Sequence, residues 1–204
     1  MKLSEKFSIK VTNYIKKTLP NKTEEDLEII KYGVELLFMN FTKLPIILVV
    51  GYILNIFKFT VYAMVIFAFI RRFAAGIHAK KSYTCLASTM LVIFGAIYLS
   101  LNFKLSIILK AFIFCVCFIV YFKYSPADTE EKPYLDELLR KKLKIKSLVV
   151  LTLYFLLSLI FNENIFISNI LIHFIWIEGV LILPLTYKIF NRRYNNYENY
   201  EETI

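Results

Sequence analysis

Glycine and proline are scarce in this chain, with five of each among 204 residues. So few turn-forming residues argue against a β-sandwich or barrel, which needs many tight turns. Three cysteines are too few for a disulfide scaffold. Hydrophobic residues instead make up 58% of the chain and the mean hydropathy is +0.58, which excludes disorder and would leave a soluble domain with too much exposed apolar surface. The composition therefore predicts an all-α polytopic membrane protein.

Six apolar runs divide the sequence: 44–57, 60–70, 86–101, 105–122, 148–161 and 165–190. They predict about six transmembrane or membrane-embedded helices. Because a crossing needs roughly 20 apolar residues, the short runs leave four crossings as the alternative. The second run either extends through Arg71 and Arg72, which would snorkel, or is re-entrant. With no internal repeat or flexible linker, residues 1–204 are interpreted as a single membrane-embedded domain.

The basic residues predict the orientation of the chain. If it crosses six times, all but three of the 25 lysines and arginines lie on one side, in the N-terminal segment, the loops 71–84 and 123–147, and the tail. Short loops rich in lysine and arginine stay in the cytoplasm, so both termini and the basic loop 123–147 are predicted to be cytoplasmic. The net charge of +9 is then explained by cytoplasmic basic residues that contact the anionic lipid of the inner leaflet. No nucleic-acid partner is predicted.

The N-terminal segment 1–43 is predicted to be interfacial or cytoplasmic. Residues 1–19 lack the apolar core and cleavage site of a signal peptide. Their apolar side chains recur at helical spacing with lysines on the remaining surface, which is typical of an amphipathic helix on the inner leaflet. Thr23, followed by three acidic residues, predicts the N-cap of a second helix from about Glu24, with Pro45 bending its continuation.

Titratable side chains are few, so candidates for chemistry are few. Cys115 and Cys117 lie within an apolar run, where a thiol keeps its proton and packs as a small apolar side chain. Cys85 instead follows a basic loop, whose positive groups favour the reactive thiolate. His78 is the only histidine in a predicted cytoplasmic segment and can act as general base and then general acid. Residues 71–85 are the predicted catalytic loop, against the alternative of a solvated basic loop with an incidental thiol.

The spacing of these two residues constrains the backbone. Seven residues rise about 10.5 Å along a straight helix, too far for the direct hydrogen bond of about 2.6–3.2 Å that proton transfer requires. A break in the helix is therefore predicted within 76–84, and Gly76 permits a turn that a β-carbon would penalise.

A second polar loop places Pro126 and Pro133 on either side of an acidic turn, before a basic helix over 135–146. The basic run is explained as a cytoplasmic anchor. Asp128 in the turn is a candidate to orient His78 or to stabilise its imidazolium.

Ionisable groups also occur in the apolar runs, where they are functional candidates by default. Lys110 is the obvious partner for Glu178, but their depths in the membrane differ by roughly 12 Å at helical rise. Glu178 is therefore interpreted as a protonated or lumen-facing structural residue, with a role near the catalytic loop as the alternative.

The two polar loops carry two motifs in order: Arg71-x4-Gly76-x-His78-Ala79-x5-Cys85 and Pro126-Ala127-Asp128-Thr129-x2-Lys132-Pro133. In these motifs, and in length and basic character, the chain resembles the accessory gene regulator protein B (AgrB) family, the membrane cysteine endopeptidases of Gram-positive quorum sensing. Ala75 stands where the family usually has glycine.

The resemblance implies an enzyme, a cysteine endopeptidase that removes the C-terminal part of a small precursor peptide of the AgrD type. It implies that Cys85 forms a thioester acyl-enzyme while His78 transfers the proton. A cysteine or serine of the precursor then closes a thiolactone or lactone ring. No cofactor and no metal are implied.

Supporting residues follow from the same motifs. Arg71 and Arg72 are candidates for binding an acidic precursor tail or the developing oxyanion, and Gly76 and Asp128 for structural support. The resemblance further implies a homodimer in the cell membrane of a Gram-positive bacterium, with the active site facing the cytoplasm.

A peptide exporter without proteolytic activity is the main alternative. It would use buried charges such as Lys110 and Glu178 and would not need Cys85, but transporters usually show repeated halves, which this sequence lacks. One His/Cys pair is too few ligands for a closed zinc site. A purely structural membrane subunit is the remaining alternative.

Overall fold

The computed structural model describes residues 3–19, 22–77, 82–130 and 133–198. Within these ranges the chain forms helices and no strand, which confirms the all-α prediction. The helices are α1 (Leu3–Thr18), α2 (Glu24–Ile53), α3 (Phe57–Ala74), α4 (Ser82–Asn102), α5 (Ile107–Tyr124), α6 (Glu137–Ile160), α7 (Ile165–Leu181) and α8 (Pro184–Ile189).

The chain divides into two compact units, residues 1–57 and 58–204. In the first unit α1 packs on α2, with the rings of Phe7 and Phe38 5.0 Å apart. The predicted start of α2 is confirmed, because Thr23 and Asp26 form a reciprocal capping box that satisfies two backbone N–H groups at the helix terminus. The helix then continues through Pro45 as a single element.

In the second unit α7 is the central helix. Most of its side chains are buried, and it packs against α4, α5 and α6. Helix α3 joins the same core, since the Phe67 and Phe174 rings lie 5.1 Å apart and the Tyr154 hydroxyl donates to the Ile66 carbonyl. A helix that is apolar all round is expected at such a central position.

Three described helices are long and apolar enough to cross a membrane, over Tyr83–Asn102, Ile107–Tyr124 and Glu137–Ile160, and two further apolar helices, Phe41–Ile53 and Ile165–Leu181, are shorter. On α5 the side chains of Ile108, Phe112 and Ile119 are 84%, 65% and 68% exposed. A stripe of this kind is unfavourable in water and favourable against lipid. The protein is an all-α membrane protein.

Two predicted segments differ from the structure. The predicted basic helix over 135–146 begins two residues later, at Glu137, and continues through the apolar run to Ile160 as one helix, α6. The last apolar run is divided, because α7 ends at Leu181 and Pro184, which cannot donate a backbone hydrogen bond, begins α8. The predicted break within 76–84 is confirmed, since α3 ends at Ala74 and α4 begins at Ser82.

Candidate functional site

The segment after α3 leaves the helix through two residues with left-handed backbone conformations. Ala75 has φ 62° and Gly76 has φ 97°. This turn is tied to the second polar loop, since the Gly76 N–H donates to the Ala127 carbonyl and the Ala127 N–H donates to the Ala74 carbonyl. The Ile77 N–H donates to the Leu181 carbonyl at the end of α7. The residues just before His78 are therefore held by two separate parts of the fold.

Two features of this turn favour glycine at position 76. Its positive φ is rarely adopted by residues with a side chain, and an added Cβ would lie 3.2 Å from the Leu181 carbonyl oxygen and 3.3 Å from Oε1 of Glu178. Glycine at this position therefore permits both the close approach to α7 and the positive φ.

A methyl group at this position is expected to destabilise the fold. We expect Gly76→Ala to lower the free energy of unfolding by roughly 1–3 kcal/mol, because the strained backbone and the crowded Cβ add together. Thermal unfolding in detergent measures the change. Gly95→Ala on α4 is the matched control, since nothing lies within 4 Å of its added Cβ. Equal stability of the two variants would contradict the expectation.

The two adjacent arginines at the end of α3 differ in environment. Arg71 is largely buried, and its Nη1 donates to Oε2 of Glu178 at 3.1 Å while its Nη2 donates to the Ile77 carbonyl. Arg72 is exposed. Only the guanidinium of Arg72 is therefore presented at the surface, whereas Arg71 is bonded within the protein.

Glu178 is a residue that the sequence interpretation placed outside the site. Its side chain is fully buried against Arg71 and Gly76, so the alternative location near the loop 71–85 describes its position better than a lumen-facing one. The signal in the sequence was a carboxylate within an apolar run. The partner was missed because Arg71 lies 107 positions away in the sequence.

Lys110 lies near the N-terminal end of α5 and does not contact Glu178, in agreement with the difference in membrane depth expected from the sequence. Its Nζ donates to Asn162 Oδ1 at 2.9 Å and to Ser168 Oγ at 2.5 Å. His173, in the middle of α7, accepts a hydrogen bond on Nδ1 from Trp176. Both residues are buried, and both lie away from the turn at Gly76.

The candidate nucleophile lies in the first turn of α4. Cys85 is the fourth residue of that helix and is half-buried. The basic residues of the preceding loop are the positive groups that the sequence places near this thiol. The candidate base, His78, lies outside the described residues.

Asp128 is buried in the second polar loop and holds the C-terminal tail. Its Oδ1 accepts hydrogen bonds from the backbone N–H and side-chain amide of Asn196, and its Oδ2 accepts from the Tyr197 N–H. Its carbonyl accepts from the Tyr187 hydroxyl. The tail residues were not identified from the sequence, since an asparagine and a tyrosine near a terminus carry no pattern that indicates a partner.

Further contacts close the tail onto this loop. Arg192 pairs with Glu130 at 3.0 Å, and the guanidinium of Arg140 lies 4.0 Å from the centre of the Tyr197 ring. Burial, together with the Asp128 carboxylate, raises the pKa of the Tyr134 phenol, and burial together with the phenol of Tyr197 raises the pKa of Tyr194.

Among the described residues, no three side chains of His, Cys, Asp and Glu form a cluster that would hold a metal ion.

Comparisons with known proteins agree with the motifs. Residues 8–182 match the family model described as Accessory gene regulator B. The chain is 35% identical over 207 residues to a putative AgrB-like protein of Clostridium acetobutylicum, covering 100% of this chain and 94% of that one. It is 31% identical over 180 residues to a putative AgrB-like protein of Listeria innocua, covering 87% of each. It is 31% identical over 158 residues to the accessory gene regulator protein B of Staphylococcus aureus, covering 78% of this chain and 83% of that one. No solved structure gives a comparable match.

Proposed function

The chain belongs to the accessory gene regulator B family, and from that premise we propose that it is a membrane cysteine endopeptidase acting on a small quorum-sensing precursor peptide. Family membership gives a role in accessory gene regulator processing. The observation that supports the finer assignment is the position of Cys85 in the first turn of α4, the helix that follows the anchored turn at 75–77 in the chain.

In the proposed reaction, Cys85 Sγ attacks a backbone carbonyl of the precursor while His78 accepts the thiol proton. The S–C bond forms, the scissile C–N bond breaks, and His78 returns the proton to the leaving amine. The products are a thioester on Cys85 and a free C-terminal fragment. Exposed Arg72 is the guanidinium that meets the acidic part of that fragment.

Ring closure follows from the thioester. A cysteine thiol or serine hydroxyl of the precursor attacks the thioester carbonyl, and Cys85 leaves as a thiolate that regains a proton. With a thiol, one thioester replaces another, so little driving force is needed. Water must be kept from the intermediate, because hydrolysis would release a linear peptide instead.

The setting of the reaction is also part of the proposal. The substrate is a peptide whose amphipathic leader lies on the anionic inner leaflet of the cell membrane of a Gram-positive bacterium, beside α1. The active site faces the cytoplasm, and the enzyme is a homodimer. Lysines along α1 are exposed, which supports contact with anionic lipid.

The experiment is a reconstitution. A candidate precursor peptide of the AgrD type is incubated with the protein in lipid vesicles, and mass spectrometry follows the peptide that contains Cys85. We expect an acyl adduct on Cys85 together with the released C-terminal fragment. His78→Ala should give neither product. Precursor that moves across the vesicle membrane uncut would favour the exporter instead.

A further inference from the structure

A buried ion pair lies between α3 and α7. Glu178 is 0% exposed, and Oε2 accepts a hydrogen bond from Arg71 at 3.1 Å. Its other oxygen, Oε1, has no hydrogen-bond partner within the described residues. Such a pair is weak evidence for stability, because apolar side chains of similar volume are often at least as stable. The geometry of Arg71 suggests a different role.

Arg71 joins the carboxylate to the catalytic loop. Its guanidinium donates one N–H to Glu178 and another to the Ile77 carbonyl. Because a guanidinium is planar and rigid, the hydrogen bond from Nη1 to Glu178 also fixes the direction of the Nη2 N–H that binds Ile77. The Ile77 N–H is meanwhile held by the Leu181 carbonyl. Both backbone polar groups of Ile77 are therefore bound, and His78 is attached to Ile77 by the next peptide bond.

We infer that Glu178 is a positioning residue for the proposed cleavage: acting through Arg71, it fixes the carbonyl of Ile77, the residue that precedes His78 in the chain. This inference rests on the proposed function. It assigns Arg71 to the loop and leaves precursor binding to Arg72. A displacement of about 1 Å at a catalytic group can lower a rate by about 10²-fold, so loss of the pair should act mainly on the chemical step.

Glu178→Gln and Arg71→Lys test this inference in vesicles, with kcat and KM measured separately. Each should lower kcat by roughly 10–100-fold with KM nearly unchanged. Arg71→Lys is the sharper variant, since lysine keeps the charge beside Glu178 but lacks the planar fork that also reaches Ile77. Lys110→Gln is the control, because it removes a buried charge near the N-terminal end of α5, which makes no contact with the ion pair. It should lower stability without changing kcat.

The outcomes separate this inference from the proposed function. A normal kcat in Glu178→Gln, or in Arg71→Lys, would overturn the positioning role and leave the proposed endopeptidase activity intact. A raised KM with normal kcat would assign Arg71 to precursor binding instead. If the wild-type protein does not cleave and Cys85 gains no adduct, the proposed function itself fails.

Discussion

Replacing Cys85 by alanine is expected to abolish precursor cleavage, with a loss of at least roughly 10³-fold in kcat. The thiolate supplies the only covalent bond to the precursor in the proposed mechanism, and alanine has no nucleophilic atom with which to form it. Cleavage is measured as the released C-terminal fragment, using protein in vesicles at matched amounts. The adduct at residue 85 should disappear in the same samples.

Cys115→Ala is the matched control for this prediction. Cys115 is exposed on the apolar surface of α5, where a thiol has no role in the proposed chemistry, so cleavage should be unchanged. Cleavage that survives in Cys85→Ala would exclude the thioester mechanism. A Cys85→Ser variant that retains full turnover when His78 is also removed would be equally damaging.

Replacing Asp128 by alanine is expected to release the C-terminal tail and to lower the free energy of unfolding by roughly 2–4 kcal/mol. The change removes the acceptor for two backbone N–H groups and one amide, and buried donors without partners carry the full desolvation penalty. Thermal unfolding in detergent gives the stability. Limited proteolysis after residue 190 gives the release of the tail.

Glu137→Gln is the comparison for the Asp128 variant. Glu137 pairs with Lys141 one helical turn away, and both side chains are 66% exposed. Exposed pairs of this kind contribute little to stability, so neither the melting temperature nor proteolysis should change. An Asp128→Ala protein that behaves like Glu137→Gln would show that the tail contacts are unimportant. Loss of cleavage without tail release would instead favour the predicted contact between Asp128 and His78.

Local patterns predicted the secondary structure well where the causes were local. The N-cap at Thr23 was predicted from the residues that follow it, and the structure adds that Asp26 completes a capping box. A break in the helix within 76–84 was predicted from the distance that His78 and Cys85 must close, and α3 ends just before that range, at Ala74. The division of the last apolar run at Pro184 and the fusion of the basic segment to α6 were missed, because composition marks the change in environment and not the end of a helix.

The site itself was only partly predictable. The residue types at 78 and 85 indicated thiol chemistry from the sequence. Two sets of contacts were not predictable, because each joins residues more than 60 positions apart. They are the ion pair of Arg71 with Glu178 and the hydrogen bonds of Asp128 with Asn196 and Tyr197. No periodicity in one segment reports on a contact with another.

The sequence by itself determined that this is an all-α membrane protein with one polar loop suited to thiol chemistry, because hydropathy and residue type act within a single segment. The tertiary structure decided which charges are buried together and which backbone groups hold the turn at Gly76. Those depend on how α3, α7 and the tail pack, and the pairing of a buried charge is settled only when its surroundings exclude water.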